Sequence, residues 1–350
     1  MPTHRIALLP GDGIGKEVVA EARKAVDALG LDIQWTHLDW GCGYYTEHGR
    51  MMPEDFAPVL RAHEAALVGA CGWPNVPDHV SVWGMTLRIR QELGLWANVR
   101  PTRLLPGIPT PLAGRTAADI DMVFVRENTE GEYAGVGGRV HQGKALEVGI
   151  ETSVFTRAGI ERVVRYAFGL AQQRKGVLTS ATKSNASRYG YVLWDEVVEE
   201  VGADFPDVRI DRALVDALAA RMVSNPGSLD VVVASNLFGD ILTDIAAAIQ
   251  GGMGTAASAN ISPGSSEPAF FESVHGSAPD IAGKGIGNPI AAIWSAALML
   301  EHVGEPEAAA RLMRAMESVC QTGPRTRDVG GSAGTVEVGD AIVARIHAGD

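Results

Sequence analysis

Short apolar runs that end in a glycine-rich turn and lead into helical stretches predict an α/β protein. Three passages carry that expectation: Arg5–Pro10 before Gly11-Asp12-Gly13-Ile14-Gly15, Asp121–Arg126 before a charged loop, and Val231–Ala234 before Ser235-Asn236-Leu237-Phe238-Gly239. A length of 350 residues exceeds one ordinary core, so two domains are expected. The opening glycines read G-x-G-x-G, and G-x-G-x-x-G occurs nowhere in the chain. A standard Rossmann dinucleotide site is therefore not expected.

The elements follow in order. Helical character begins at Lys16, a strand is expected over Ile33–Leu38, a helix over Pro53–Glu64 and a buried strand over Ala65–Ala70. Arg90 falls on a helical segment, whereas Arg100 precedes Pro101, where the chain should be extended. Glu147–Val154 reads as a strand and Thr156–Arg174 as an amphipathic helix. Helices are expected over Arg188–Val201 and Arg212–Val223, with Val208–Ile210 strand-like. Strong helical patterns return over Pro289–His302 and Glu307–Thr322.

Composition bounds the function. The net charge is −12, which disfavours nucleic acid and anionic membranes as partners. No apolar run is long enough to span a bilayer, and the first residues lack a secretory pattern. Cys42, Cys71 and Cys320 form no CxxC pair, which fits a reducing cytoplasm and small core hydrophobes.

Candidate chemistry lies at the ends of apolar runs. Arg88, Arg90, Arg100 and Arg103 cluster in an acidic protein, and guanidinium forks suit carboxylates or phosphates. Arg126 ends a strand, Tyr133 follows in a loop, and Lys183 ends another apolar run. Asp216 lies among Leu214, Val215, Ala217 and Leu218, so it needs a partner. Asp240 and Asp244 are spaced i,i+4 and share a helix face, where a divalent cation would relieve their repulsion. On spacing alone the plainer reading is preferred: one Asp at a helix N-terminus and one on a wet face. Gly330-Gly331-Ser332-Ala333-Gly334 matches a serine-hydrolase pattern, but the polar lead-in Pro324–Val329 argues against a nucleophile elbow.

Taken together, PGDGIG (10–15), RENTEGEY (126–133), ATKSN (181–185), VDALA (215–219), the stretch 231–248, VHGSAPDIAGKGIGNP (274–289) and GGSAGT (330–335) resemble the β-decarboxylating dehydrogenases. That family includes isopropylmalate, isocitrate, and tartrate or D-malate dehydrogenases. The resemblance runs the length of the chain in family order. It implies an α/β, isocitrate/isopropylmalate dehydrogenase-like two-domain fold with a long mixed sheet, not a Rossmann fold. A large discontinuous domain, 1–98 plus 251–350, would take the cofactor side. A small domain, 99–250, would carry the dimer interface and the metal and substrate groups.

The resemblance also implies roles. Arg90, Arg100 and Arg126 would clamp the carboxylates of a small 2-hydroxy dicarboxylic acid. Asp240 and Asp244, with Asp216 from the second subunit of a homodimer, would hold Mn²⁺ or Mg²⁺, with K⁺ as a further cation. Lys183, also from the partner, would accept the hydroxyl proton, and Tyr133 would protonate the enol carbon. His275, Gly276, Ser277, Ala278, Asp280 and Asn288 match adenosine-side positions. Asp280 fits a free ribose diol, so NAD is expected rather than NADP. Pairing of dimers into tetramers stays open.

Substrate identity is read before the first clamp arginine. Isopropylmalate members carry an acid where this chain has Trp83, and isocitrate members carry Ser and Asn at Gly84 and Thr86. The phrases VWGMTLRIR (82–90), RENTEGEY and ATKSN resemble the tartrate/D-malate branch, with Trp83 filling the room a large 3-substituent needs and Thr86 a candidate contact. The alternative within the family is 3-isopropylmalate dehydrogenase. Outside it stands a metal-dependent oxo-acid decarboxylase or lyase without a redox step.

Overall fold

A computed structural model describes residues 3–349. The strands are β1 (His4–Gly11), β2 (Ile33–His37), β3 (Ala65–Ala70), β4 (Ala97–Arg103), β5 (Asp121–Glu127), β6 (Gly131–Val140), β7 (Val148–Val154), β8 (Val177–Thr182), β9 (Arg209–Leu214), β10 (Val231–Ala234), β11 (Ala257–Ile261) and β12 (Ala269–Ser273). The helices are α1 (Gly15–Asp27), α2 (Cys42–His48), α3 (Phe56–Arg61), α4 (Asp78–Gly84), α5 (Thr86–Glu92), α6 (Arg157–Gln172), α7 (Gly190–Gly202), α8 (Val215–Ser224), α9 (Asn236–Ile249), α10 (Ile290–His302), α11 (Pro306–Thr322) and α12 (Thr335–Ala348).

Ten strands form one mixed sheet in the order β2-β1-β3-β12-β11-β4-β5-β10-β8-β9, and β6 and β7 form a separate hairpin. This agrees with the expected long mixed sheet of an α/β protein. Strands β2, β1, β3 and β12 form one parallel block, and β5, β10, β8 and β9 form another. Antiparallel pairings of β11 and β4 join the blocks, which therefore run in opposite directions. Near-continuous apolar strands such as Ala65–Ala70 and Val231–Ala234 are buried on both faces, as parallel strands covered by helices must be.

The antiparallel centre is chemically different. Cross-strand partners share a face. Register therefore aligns Phe270, Asn260, Asn98, Arg126 and Ala234 in one row across β12, β11, β4, β5 and β10. Three polar side chains thus interrupt an otherwise apolar face.

Three helix boundaries differ from expectation. Helix α9 begins at Asn236, so Asp240 sits in its second turn rather than opening it. Residues Arg212–Leu214 belong to β9 instead of a helix, because their parallel ladder with β8 outweighs local helical pattern. The helix expected over Pro53–Glu64 is confined to Phe56–Arg61. Ser332 follows a short 3-10 turn, Arg327–Val329, and no strand leads into it, which removes the nucleophile-elbow reading.

Two loops are pressed together over the first block. A Cβ on Gly13 would stand 2.0 Å from the Ser277 carbonyl oxygen, and Gly13 holds φ +55°, so only glycine fits there. The Ile14 amide donates to the same carbonyl at 2.9 Å. Glu17 of α1 accepts from the Gly283 and Gly285 amides at 2.7 and 2.9 Å.

His4 closes the back of the same block. It is 4% exposed, with Nδ1 2.9 Å from Glu64 and Nε2 3.2 Å from Glu305, the N-cap of α11. Burial pushes its pKa down, but bonding to Glu64 and Glu305 outweighs that, and the result lies above 6.5. Glu64 is lowered below 4.5, its bond to His4 outweighing burial. A raised histidine contributes stability below the unfolded pKa and loses it as pH rises through the folded pKa. A lowered carboxylate contributes above its unfolded pKa and loses it on acidification. The tie is therefore strongest between these limits. His4→Gln is expected to lower thermal stability more at pH 6 than at pH 8.5, by about 1 kcal/mol or less since Glu64 is water-exposed. Equal losses by calorimetry at both pH values would rule this out.

Candidate active site

A cleft of about 470 Å³ opens where Arg126 of the polar row reaches the surface of the sheet. Helices α4 and α5 give Trp83, Thr86 and Arg90, strands β4 and β5 give Arg100 and Arg126, β6 gives Tyr133, and α9 gives Asp240. Glu272 and His275, at and just past the end of β12, complete the wall.

The three arginines are nearly inaccessible, at 6%, 5% and 2% exposure for Arg90, Arg100 and Arg126. Each is held by a distinct partner. Arg90 Nη2 donates to Glu272 at 2.6 Å. Arg100 Nε donates to Asn98 at 2.7 Å, and its Nη2 lies 3.5 Å from Asp240. Arg126 donates Nε and Nη2 to Asn236 Oδ1 at 3.0 and 2.7 Å, and its Nη1 pairs with Asp240. Burial, then the Arg100 charge, push the Arg126 guanidinium down to about 9, so it stays cationic at neutral pH. Asparagine is a neutral acceptor, so it fixes geometry without cancelling charge.

Asp240 is the hub. Burial pushes its carboxyl up, but Arg126, Arg100 and Arg90 outweigh this and hold it below the usual aspartate range. The Tyr133 hydroxyl donates to its Oδ2 at 3.3 Å, and the Arg126 guanidinium stacks 5.7 Å from the Tyr133 ring. Asp244 lies one turn on, with its pKa raised by partial desolvation and by the Asp240 charge. The expected like-charge strain is therefore present on α9.

Trp83 and Thr86 both reach the cleft. The Trp83 ring packs on Gly135 of β6, where a Cβ would stand 2.8 Å from the ring edge. Arg88 does not join: it stacks 5.1 Å over Phe56 and donates to the Glu54 carbonyl.

Lys183 and Asp216 stand apart from the cleft. They follow the ends of the adjacent strands β8 and β9, and their side chains pair at 2.5 Å, with Asp216 67% exposed. The bond to Lys183 lowers the Asp216 pKa. Asp216 thus has the partner its apolar neighbours called for, in an exposed setting. Among the described residues, no group of three His, Cys, Asp or Glu side chains is placed to hold a metal ion.

The second loop region presents His275, Gly276, Ser277, Ala278, Asp280 and Asn288. Asn288 is buried and bonds Asp328 at 2.9 Å, while its Oδ1 accepts from the Ile290 amide at the start of α10. Asp280 is exposed. Ala278 holds φ +42°, a left-handed conformation rare for an L residue. His275 Nδ1 lies 2.9 Å from the Gly276 carbonyl, which can only accept, so Nδ1 carries the proton. Nε2 is then an acceptor, and it is buried without a partner. Burial lowers the His275 pKa and keeps the ring neutral.

Sequence reasoning missed Asn98, Asn236, Asn260 and Glu272. Asn260 bonds Asn98 at 2.9 Å and Glu272 at 3.0 Å, linking the supports of Arg100 and Arg90. The isolated acid in Phe270-Phe271-Glu272 is the same signal that singled out Asp216, and it would have found Glu272.

A family profile described as isocitrate/isopropylmalate dehydrogenase matches residues 5–342. A probable tartrate dehydrogenase/decarboxylase of Agrobacterium vitis is 51% identical over 348 residues, covering 98% of this chain and 97% of the relative. The D-malate dehydrogenase (decarboxylating) of Escherichia coli strain K12 is 49% identical over 354 residues, covering 98% of each. The solved structure of isocitrate dehydrogenase from Methylococcus capsulatus aligns with a TM-score of 0.90 at 39% identity, over 98% of this chain and 99% of that one. With a matching profile over nearly its whole length and relatives at half identity, the chain belongs to the isocitrate/isopropylmalate dehydrogenase family.

Proposed function

We propose that this chain is a metal- and NAD-dependent dehydrogenase that oxidises and decarboxylates a small 2-hydroxy dicarboxylic acid, D-malate or tartrate. The convergence of Arg90, Arg100 and Arg126 on one cleft carries the reading. Both named relatives, a tartrate and a D-malate enzyme, support the branch.

Charge balance supports a divalent cation. Three guanidiniums face three carboxylates, Glu272, Asp240 and Asp244, which leaves no net charge for a dianionic substrate. Two hard oxygen donors on one helix face fit Mn²⁺ or Mg²⁺, and a cation would relieve the Asp240–Asp244 repulsion. The set is incomplete in one chain, which fits Asp216 and Lys183 being supplied by a second copy in a homodimer. For NAD, His275 Nε2 is a buried acceptor needing a donor, and the adenine amine is one. Bound together, the two groups supply an electrophilic charge and a hydride acceptor.

The chain's own residues supply the rest. Arg90, Arg100 and Arg126 orient the substrate carboxylates. Lys183 takes the hydroxyl proton, and Tyr133 returns a proton to carbon after CO₂ leaves. Trp83 narrows the cleft against a large 3-substituent.

Three outcomes follow. With Mn²⁺, K⁺ and NAD, NADH should form faster from D-malate or L-tartrate than from 3-isopropylmalate or isocitrate; the reverse order would reject the substrate reading. Trp83→Ala should raise the rate on 3-isopropylmalate relative to D-malate by about tenfold, the worth of roughly 1–2 kcal/mol of pocket contact. Asp216→Asn and Asp240→Asn chains, each inactive alone, should regain activity when unfolded and refolded together. No recovery in a mixture that forms heterodimers by mass spectrometry would sink the shared site.

A further inference from the structure

We propose that Glu132 is a positioning residue that seats the neighbouring Tyr133 hydroxyl against Asp240 and so governs proton delivery to the product carbon. This rests on the reading of Tyr133 as the proton donor.

Tyr133 lies where the hairpin cannot hold it. The β6–β7 ladder pairs Gly131 with Val154 and resumes at Val136 with Thr152, and the register is irregular between them. Backbone pairing therefore leaves Glu132 and Tyr133 loosely specified. The Gln91 side chain bonds the Tyr133 carbonyl at 3.1 Å, but it acts on the main chain and not on the ring.

Glu132 replaces the missing ladder. One carboxylate oxygen accepts from Ser235 Oγ at 2.9 Å and from the Tyr191 hydroxyl. The other accepts from the Leu237 amide in the first turn of α9 at 3.0 Å. The Tyr191 and Ser235 hydroxyls are themselves 2.6 Å apart. Tyr191 is 4% exposed and stacks on Phe238, with ring centroids 4.7 Å apart and planes inclined by 15°. One carboxylate thus joins β6, α7 and α9.

Seating Glu132 on the first turn of α9 fixes the main chain beside that helix, and the adjoining Tyr133 is held along it. Its hydroxyl meets Asp240, about one helical turn beyond Leu237. Two contacts a turn apart pin this part of β6 to the helix that bears the candidate metal carboxylates. Losing the first leaves the second, at 3.3 Å, to hold the ring alone.

The test is deuterium uptake into the methyl group of pyruvate, followed by NMR in D₂O with Mn²⁺ and NADH. This exchange needs the carbon proton donor but no hydride transfer. Glu132→Ala should slow it about tenfold or more, while the D-malate KM moves less than about threefold, because the arginine clamp is intact. Glu132→Gln keeps an oxygen for the Leu237 amide and should restore exchange to within about threefold of wild type. Tyr191→Phe, which removes one partner hydroxyl, should slow exchange about threefold and serves if Glu132→Ala does not fold. Wild-type exchange in folded Glu132→Ala, or in Tyr191→Phe if the former is unfolded, overturns the proposal when Tyr133→Phe abolishes exchange. Wild-type exchange in Tyr133→Phe overturns the proton-donor reading and this inference with it.

Discussion

Three nearly buried guanidinium groups line one cleft, and much of the surrounding structure answers the need to keep them charged, apart and aimed. Like charges repel strongly once solvent is removed. Burial and mutual repulsion both push Arg126 toward losing its proton. Asp240 offsets part of that charge, and it is itself held ionised by the arginines. Further donors of Arg100 and Arg126 meet the neutral oxygens of Asn98 and Asn236, which fix these groups without adding negative charge. An aspartate at either position would fix the arginine as well but add a further negative charge to the cleft.

This arrangement depends on the sheet. A wholly parallel α/β sheet buries apolar strands on both faces and offers side-chain chemistry mainly beyond strand ends. Here the antiparallel strands β11 and β4 lie between two parallel blocks. Their cross-strand partners set Asn260, Asn98 and Arg126 side by side in the middle of a face. Arg126 of that row lines the cleft, while Asn98 and Asn260 lie buried behind it as supports. The mixed topology is thus what allows a charged site within the sheet.

Most of the fold was legible because its signals are local. Ala65–Ala70 and Val231–Ala234 are apolar runs bounded by turns, and both are strands. Arg126, Tyr133 and Asp240 were recognisable as site candidates from motifs, and the structure gathers them in one cleft. What escaped was relational. Asn98 and Asn260 look ordinary in sequence and matter only through register across β4 and β11. Glu132 lies inside a quoted motif, yet its partners come from α7 and α9, more than fifty residues away in each case. Asp216 differs: the partner its apolar neighbours called for is present in Lys183, while its carboxylate projects to solvent. Apolar flanks on a surface helix describe the face beneath, not the environment of the residue between them.

The hydrogen on His275 has a consequence for which bases could lie beside it. The Gly276 carbonyl holds that hydrogen on Nδ1, and burial keeps the ring from gaining a second. Nε2 is left as a fixed lone pair in a place where water is scarce. A purine bearing an exocyclic amino group can donate to it. A purine bearing a carbonyl at the same carbon, as in guanine or hypoxanthine, would set two lone pairs against each other. A single backbone carbonyl therefore decides that the His275 ring offers an acceptor and not a donor at its other nitrogen.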